Sequence, residues 1–367
     1  MNSTGMARAV GVISGTSMDG IDVSMLDTDG LAQVTPGPGA TYPYAPALRK
    51  ALLGLLAHPE IAETDPLRAL EEDVTDAHCE AVRRFLRENS IDPAGVALAG
   101  LHGQTVYHRP EKKFTRQLLD GARAAAALGL PVVNRFRHAD VAAGGEGAPF
   151  APLFHKAMVS ALAHPVMVLN LGGVANVTYV DAETVIAFDT GPASALLDDF
   201  VARRTGKPFD EGGALAASGK IDVALVAEFM ANPFFARPAP KSLDRQDFHA
   251  RARGVEALSD ADGAATLAAF TIESVAAALA HVPRAPKLWL VCGGGRLNAT
   301  FMRRLGERLQ VKVAPVESIG WNGDVIEAQC FAYLGVRSAR GLPLSLPATT
   351  GVPHPLTGGE LWPAPHG

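Results

Sequence analysis

Two short stretches of the chain gather residues that can hold a polyphosphate, and a third glycine-rich stretch stands apart from them. Ser14-Gly15-Thr16-Ser17-Met18-Asp19-Gly20 interrupts an apolar run that resumes with period two at Ile21, Val23 and Met25. Gly172-Gly173 interrupts a second apolar run, and Gly293-Gly294-Gly295 follows a third, Leu290-Val291-Cys292. Glycine lets backbone N–H groups approach an anion closely, and serine and threonine hydroxyls add donors. A solvent-facing hairpin would need two turn residues rather than such a cluster. Asp19 and Asp22 would repel phosphate unless a divalent cation lay between, and magnesium, which keeps several of its waters, suits carboxylates beside phosphates. A plain Asp19-Gly20 hairpin turn is the alternative.

Asp189 is the candidate catalytic group. It closes the apolar stretch 184–188 and precedes Thr190-Gly191-Pro192 and a helical pattern. A carboxylate at the C-terminal end of a strand, beside a helix N-terminus, is rigidly held and faces the usual ligand crevice of such sheets. Alternatively it caps that helix, a part that Thr190 or Ser194 could equally take. His102, Gln104, Thr105 and His108 form a polar set suited to sugar hydroxyls, or simply a hydrogen-bonded strand end. Asp140 and Glu146 lie in a segment broken by Gly and Pro, 131–155. Glu327 shares a helix with apolar Ile326, Phe331 and Leu334, where it either faces inward for a reason or lies on a solvated face. The histidines lack the paired spacing of a zinc site.

The elements that must position these groups follow from length and pattern. At 367 residues and 48% hydrophobic content, two domains with sizeable cores are expected. A net charge of −5 without a basic cluster argues against nucleic acid as a partner. Cys79, Cys292 and Cys330 are scattered, so no disulfide framework is indicated. With no signal-peptide core and no long uninterrupted apolar run, a cytoplasmic protein without a membrane partner is expected. Strands run to about residue 45, helices follow at 47–57 and 76–89, and strand returns at 96–108. From residue 165 a second strand–small loop–strand unit echoes the first, which suggests duplication; two unrelated hairpins are the alternative. The third glycine stretch reads as strand, turn and amphipathic helix. It approaches a dinucleotide fingerprint, with Asn298 at the third glycine position and Glu317 where a ribose-binding acid could sit. The stretch 213–221 misses a phosphate-loop pattern in spacing, and Lys220 is not followed by Ser or Thr. The Pro- and Gly-rich tail from Gly341 is expected to wrap the surface without chemistry.

Taken in order, GVISGTSMDGIDV, HGQTVYHRP, HADVAAGGEGAPFAPLFH, LNLGGVANVT, AFDTGPASALLD, VCGGGRLN and DVIEAQCFAYLG resemble the anhydro-N-acetylmuramic acid kinase family. The resemblance runs from Gly11 to about Gly335. It implies an α/β fold of two duplicated actin-like (ribonuclease H-like) ATPase domains around a central ATP cleft. The expected boundaries are 1–134, completed by part of the C-terminal segment, 135–345, and a tail at 346–367. The implied reaction cleaves the C1–O6 bond of a 1,6-anhydro-sugar with water while O6 takes the γ-phosphate of ATP, in the recycling of cell-wall sugar. Asp189 is the implied general base. Gly15, Thr16, Ser17, Met18, Asp19, Gly20, Ile21 and Asp22 would form the first ATP loop, Gly172, Gly173 and Asn176 the second. Gly293, Gly294 and Asn298 would hold the adenosine, and Asp19 would hold Mg2+ through water. His102, Gln104, Thr105, Arg137, Asp140 and Glu327 would line the sugar site, and a homodimer is implied.

Three departures from the family pattern are visible: Ala193-Ser194 in place of Gly-Asn, Leu243-Asp244 in place of Thr-Gly, and Glu146 in place of Gln. A related anhydro-sugar such as levoglucosan is the alternative substrate. A cationic Arg137, Lys241 or Arg245 near the sugar would favour the lactyl carboxylate of muramate. A non-catalytic nucleotide-gated sensor is the alternative from another class.

Overall fold

The computed structural model describes residues 5–15, 18, 20–243, 248 and 251–365. The expectations placed on Thr16, Ser17, Asp19 and Arg245 lie outside the described residues. The chain divides into two compact units, Met1–Ser160 with Val325–Gly367, and Ala161–Asp324.

In the first unit, β1 (Ala7–Ser14), β2 (Ile21–Thr28) and β3 (Val34–Tyr42) form an antiparallel meander. β4 (Leu98–Arg109) lies parallel to β1, and β5 (Phe114–Leu118) pairs antiparallel with its second half. β6 (Val132–Asn134) runs parallel to β4, and a C-terminal strand, Glu360–Trp362, closes that edge. All but one residue of β1 is buried, because helices cover both faces of the sheet. The helix Ile326–Ala339 lies so close that a Cβ on Gly11 would sit 1.8 Å from the Ala328 carbonyl oxygen. Only glycine permits that approach.

The second unit repeats the plan. β7 (Val166–Leu171), β8 (Val174–Asp181) and β9 (Thr184–Pro192) form the meander. β10 (Leu288–Cys292) and β11 (Lys312–Pro315) then add in parallel. The order β11-β10-β7-β8-β9 matches β6-β4-β1-β2-β3 strand for strand. Two unrelated hairpins would not share crossovers as well as turns, so the duplication is in the topology itself. The helix Asp260–His281 is long and apolar enough to cross a membrane by composition, but it is mostly buried inside this unit. Thirteen of its residues from Gly263 to Ala276 are buried, in a core with Phe200, Phe229 and Phe248.

The units divide elsewhere than at 134 and 345. The segment 135–160 stays with the first sheet, where the helix His138–Ala142 packs on β5. The helix Ile326–Ala339 packs on β1, β2 and β4 of the same sheet. The tail is part of this fold rather than a surface wrap. Leu344, Thr350 and Val352 are buried in it, and the Trp362 indole donates to Asn134 Oδ1 at 3.0 Å.

Candidate active site

In the first unit the β1–β2 loop is framed from three directions. Met18, at φ 55°, buries its side chain in the core and donates its amide to the Gly15 carbonyl at 3.1 Å. Arg49, on the helix Pro46–Ala57, donates to the Met18 carbonyl at 3.0 Å. Gln104 Nε2 reaches the Gly15 carbonyl at 3.4 Å and that of Thr105 at 3.2 Å. Gln104 is wholly enclosed, so its amide supports the β1–β2 loop from beneath. Ile21 packs in the core, and its backbone lies in the ladder between Ser14 and Tyr42. Asp22 is the second residue of β2, where Thr41 Oγ1 donates to its carboxylate at 2.6 Å.

The sugar-site expectations meet on β4 and the segment behind it. His102 Nδ1 donates to the Gly103 carbonyl at 2.8 Å, and its Nε2 accepts from Arg137 Nε at 2.8 Å. That pairing fixes a neutral imidazole, and burial with the Arg137 charge holds its pKa well below the usual value. Arg137 also donates to the Gly147 carbonyl at 2.6 Å. His108 donates Nε2–H to the Glu146 carbonyl and accepts at Nδ1 from Thr115, both at 2.9 Å, and burial lowers its pKa to about 4. Asp140 sits beneath this loop with both oxygens engaged. It accepts from the Gly147 amide at 2.7 Å and from Thr350 Oγ1 at 2.6 Å. Its place in the structure is to shape the glycine loop that receives Arg137. Glu327 remains accessible to solvent, yet desolvation by the surrounding protein and the nearby Asp22 charge raise its carboxyl above the usual range, against Arg137.

In the second unit the β7–β8 turn is fastened to the N-terminus of the helix Ser194–Thr205. Ala193 N donates to the Gly173 carbonyl at 3.1 Å, and Ser194 offers both amide and hydroxyl to the Gly172 carbonyl at 3.0 Å. Ser194, where the family pattern has Asn, thus holds the glycine turn. Register sets Cys292, Asn170, Asn176 and Asp189 in one row across β10, β7, β8 and β9. Residues so paired share a face of the sheet, which aligns Asn170, Asn176 and Asp189.

Asp189 does not cap the following helix, whose N-cap is Ala193 without a side-chain bond. Instead it is gripped by a strap: its amide donates to the Lys241 carbonyl at 2.9 Å, and its Oδ2 accepts from the Leu243 amide at 2.8 Å.

Gly294 and Asn298 line a recess of about 290 Å³ with Ser194, Asp198, Phe209 and Leu297. Phe209 is 52% and Leu297 68% exposed, which suits two apolar side chains to the faces of a planar base. Gly293 stands behind it at φ 76°. Asn298 caps the helix Ala299–Leu309 by accepting from Phe301 N at 3.0 Å. Glu317 is taken by Arg296 at 2.8 Å, so it is not the ribose-binding acid of a dinucleotide fold. Among the described residues no group of three His, Cys, Asp or Glu side chains could hold a metal.

Sequence reasoning missed Arg49, Asn170, Thr350, Phe209 and Leu297. Asn170 carried a signal, as a polar residue closing an apolar strand. Leu297 lies in the same turn as Gly294 and beside Asn298, while Arg49, Thr350 and Phe209 are placed by packing that no local pattern records.

A twice-repeated five-stranded plan, each copy opening on a hairpin with a small-residue turn, is an α/β fold of two duplicated actin-like domains. The sequence profile of the family described as anhydro-N-acetylmuramic acid kinase matches residues 7–364. An anhydro-N-acetylmuramic acid kinase of Rhodospirillum rubrum is 50% identical over 99% of this chain and 96% of its own. One from Paramagnetospirillum magneticum is 49% identical over 96% and 98%. Among solved structures, an activator of 2-hydroxyisocaproyl-CoA dehydratase from Clostridium difficile, with bound ADPNP, is a distant likeness. It has 9% identity and a TM-score of 0.46 over 91% of this chain and 96% of its own. The chain belongs to the anhydro-N-acetylmuramic acid kinase family.

Proposed function

We propose that this chain uses ATP to convert 1,6-anhydro-N-acetylmuramic acid to N-acetylmuramic acid 6-phosphate. The observation that carries the proposal is half identity, along nearly the whole chain, to kinases of that name. The relatives found bear the muramate name, which favours it over levoglucosan; an Asp189 held in place speaks against a non-catalytic sensor.

Asp189 takes a proton from the water that attacks C1. The C1–O6 bond breaks with its electron pair on O6, and O6 forms its bond to the γ-phosphorus as the bond to the β-bridging oxygen breaks. Catalysis of this kind is chiefly positioning and charge stabilisation. The backbones of Gly15, Gly20, Gly172 and Gly173 are assigned to the phosphates, and Gly293, Gly294 and Asn298 to the adenosine with Phe209 and Leu297. His102, Thr105, Arg137 and Glu327 are assigned to the sugar, with Gln104 and Asp140 shaping the loops beside them. The Arg137 cation suits the lactyl carboxylate.

The donor set fits magnesium: Asp22 and Glu327 are close enough for one charge to disfavour the other. An ion there would keep waters and lean on the phosphates, with Asp22 and Asp19 holding it through them. Bound magnesium would screen the phosphate charge that repels an incoming O6.

Incubation with ATP, magnesium and either anhydro-N-acetylmuramic acid or levoglucosan tests the proposal. Mass spectrometry should find the muramate heavier by one phosphoryl group and one water. Turnover of levoglucosan alone would refute it.

A further inference from the structure

We infer that Lys241 is a positioning residue for Asp189: its buried ammonium anchors the strap whose neighbouring amide orients the base. This rests on the assignment of Asp189 made above.

Lys241 is only 6% exposed. Lysine is almost never buried so deeply unless its charge is paired. Here the ammonium is met by neutral groups, donating to the carbonyls of Phe234 at 3.1 Å and Phe235 at 3.2 Å, with His281 Nε2, which also faces the Phe235 carbonyl at 2.9 Å, 3.2 Å away. It also lies 4.8 Å from the centre of the Phe234 ring and 5.7 Å from that of Phe188. Burial, with a contribution from Arg237, lowers its pKa to about 8. A group whose folded state disfavours its charge costs stability at neutral pH, so stability does not account for the lysine.

Position along the chain does. Phe188, under the ammonium, directly precedes Asp189. The Lys241 carbonyl receives the Asp189 amide, and two residues on, the Leu243 amide reaches Asp189 Oδ2. Residues 241 and 243 thus bracket the base like a short added strand. The ammonium ties that strand to the turn Pro233–Ala236 and to His281, the last residue of the buried helix. Orientation of a reacting group is worth much: a displacement of about 1 Å can cost roughly a hundredfold in rate.

Lys241→Met keeps length and apolar packing and removes the charge. The expected result is a melting temperature equal to or above wild type, an unchanged KM for ATP, and a kcat lower by about 10- to 100-fold. A brace for the fold alone would lose stability and not turnover. Leu243→Pro, which deletes the amide donor on the strap together with the Leu243 side chain, should lower kcat similarly at unchanged KM for ATP. Wild-type kcat in either variant overturns the inference, as does a Lys241→Met protein that fails to fold. Asp189→Asn, measured alongside, separates the two readings. Full turnover in that variant would remove Asp189 as base; its loss with a fully active Lys241→Met would remove only the role of the lysine.

Discussion

Gly293 and Gly294 are neighbours in sequence, and the same substitution should damage different properties at each. A Cβ on Gly293 would lie 2.3 Å from Asn170 Oδ1 and 2.7 Å from the Leu171 carbonyl oxygen, at a φ of 76°. With ψ at 167°, this is a backbone region populated essentially by glycine, which costs another residue about 1–3 kcal/mol, and forced overlap in packed surroundings costs about 1–3 kcal/mol more. Gly293→Ala should therefore lose roughly 2–6 kcal/mol. For a unit of this size that lowers the melting temperature by on the order of 10 °C. A Cβ on Gly294 meets nothing within 4 Å and projects from the wall of the recess assigned to adenosine. Gly294→Ala should leave the melting temperature unchanged or slightly raised, since it removes freedom from the unfolded chain. A methyl group in the path of the base, at about 1 kcal/mol or more, raises the KM for ATP roughly fivefold or more. Differential scanning fluorimetry and initial rates against ATP measure both. An unchanged KM for ATP in a stable Gly294→Ala protein would take the nucleotide out of this recess, and a Gly293→Ala protein as stable as wild type would refute the steric argument.

Asp189→Asn should lower turnover by about 10²–10⁴-fold while ATP still binds, because a positioned base supplies that range. In ¹⁸O-water the wild type should label C1 of the sugar and not the transferred phosphate; label in phosphate would break the coupling of water attack to phosphoryl transfer. Gly172→Val should raise the KM for ATP without unfolding the chain, since its nearest neighbour would be 3.5 Å from a Cβ, in ordinary contact; unchanged ATP kinetics would remove this turn from the phosphates. Acid should weaken the first unit: burial lowers the pKa of both His78 and His155 from 6.5 to about 4. The unfolded chain then binds more protons between those values, so stability present above pH 6.5 is lost as pH falls toward 4, by about 3 kcal/mol for each histidine. Urea titrations at pH 7 and pH 5 check this, and equal stability at both would contradict it.

The alternation after Gly20, the apolar run before Asp189 and the glycines at 172–173 and 293–295 made the strands and turns of both halves legible, because each signal is local. The ordered motifs identified the family for the same reason. The sequence placed Asp189 at the end of a strand, whereas β9 runs on to Pro192 and holds it three residues before the strand's end. The sequence could not determine what holds that carboxylate, since the Leu243 amide lies 54 residues away and any backbone amide carries the same donor. Gln104 and Asp140 read as polar groups available to a sugar, and only packing decided that their amide and carboxylate are turned onto loop backbones and Thr350. The segment 135–160, expected with the second half, packs with the first sheet on the same ground, through the helix His138–Ala142 against β5. Strand pairing between Val132–Asn134 and Glu360–Trp362 joins segments more than two hundred residues apart, and hydrogen bonds between backbones leave no mark on side-chain pattern. Local periodicity fixes which elements form; which of them touch is decided by the tertiary fold, where burial leaves each polar group a small choice of partners.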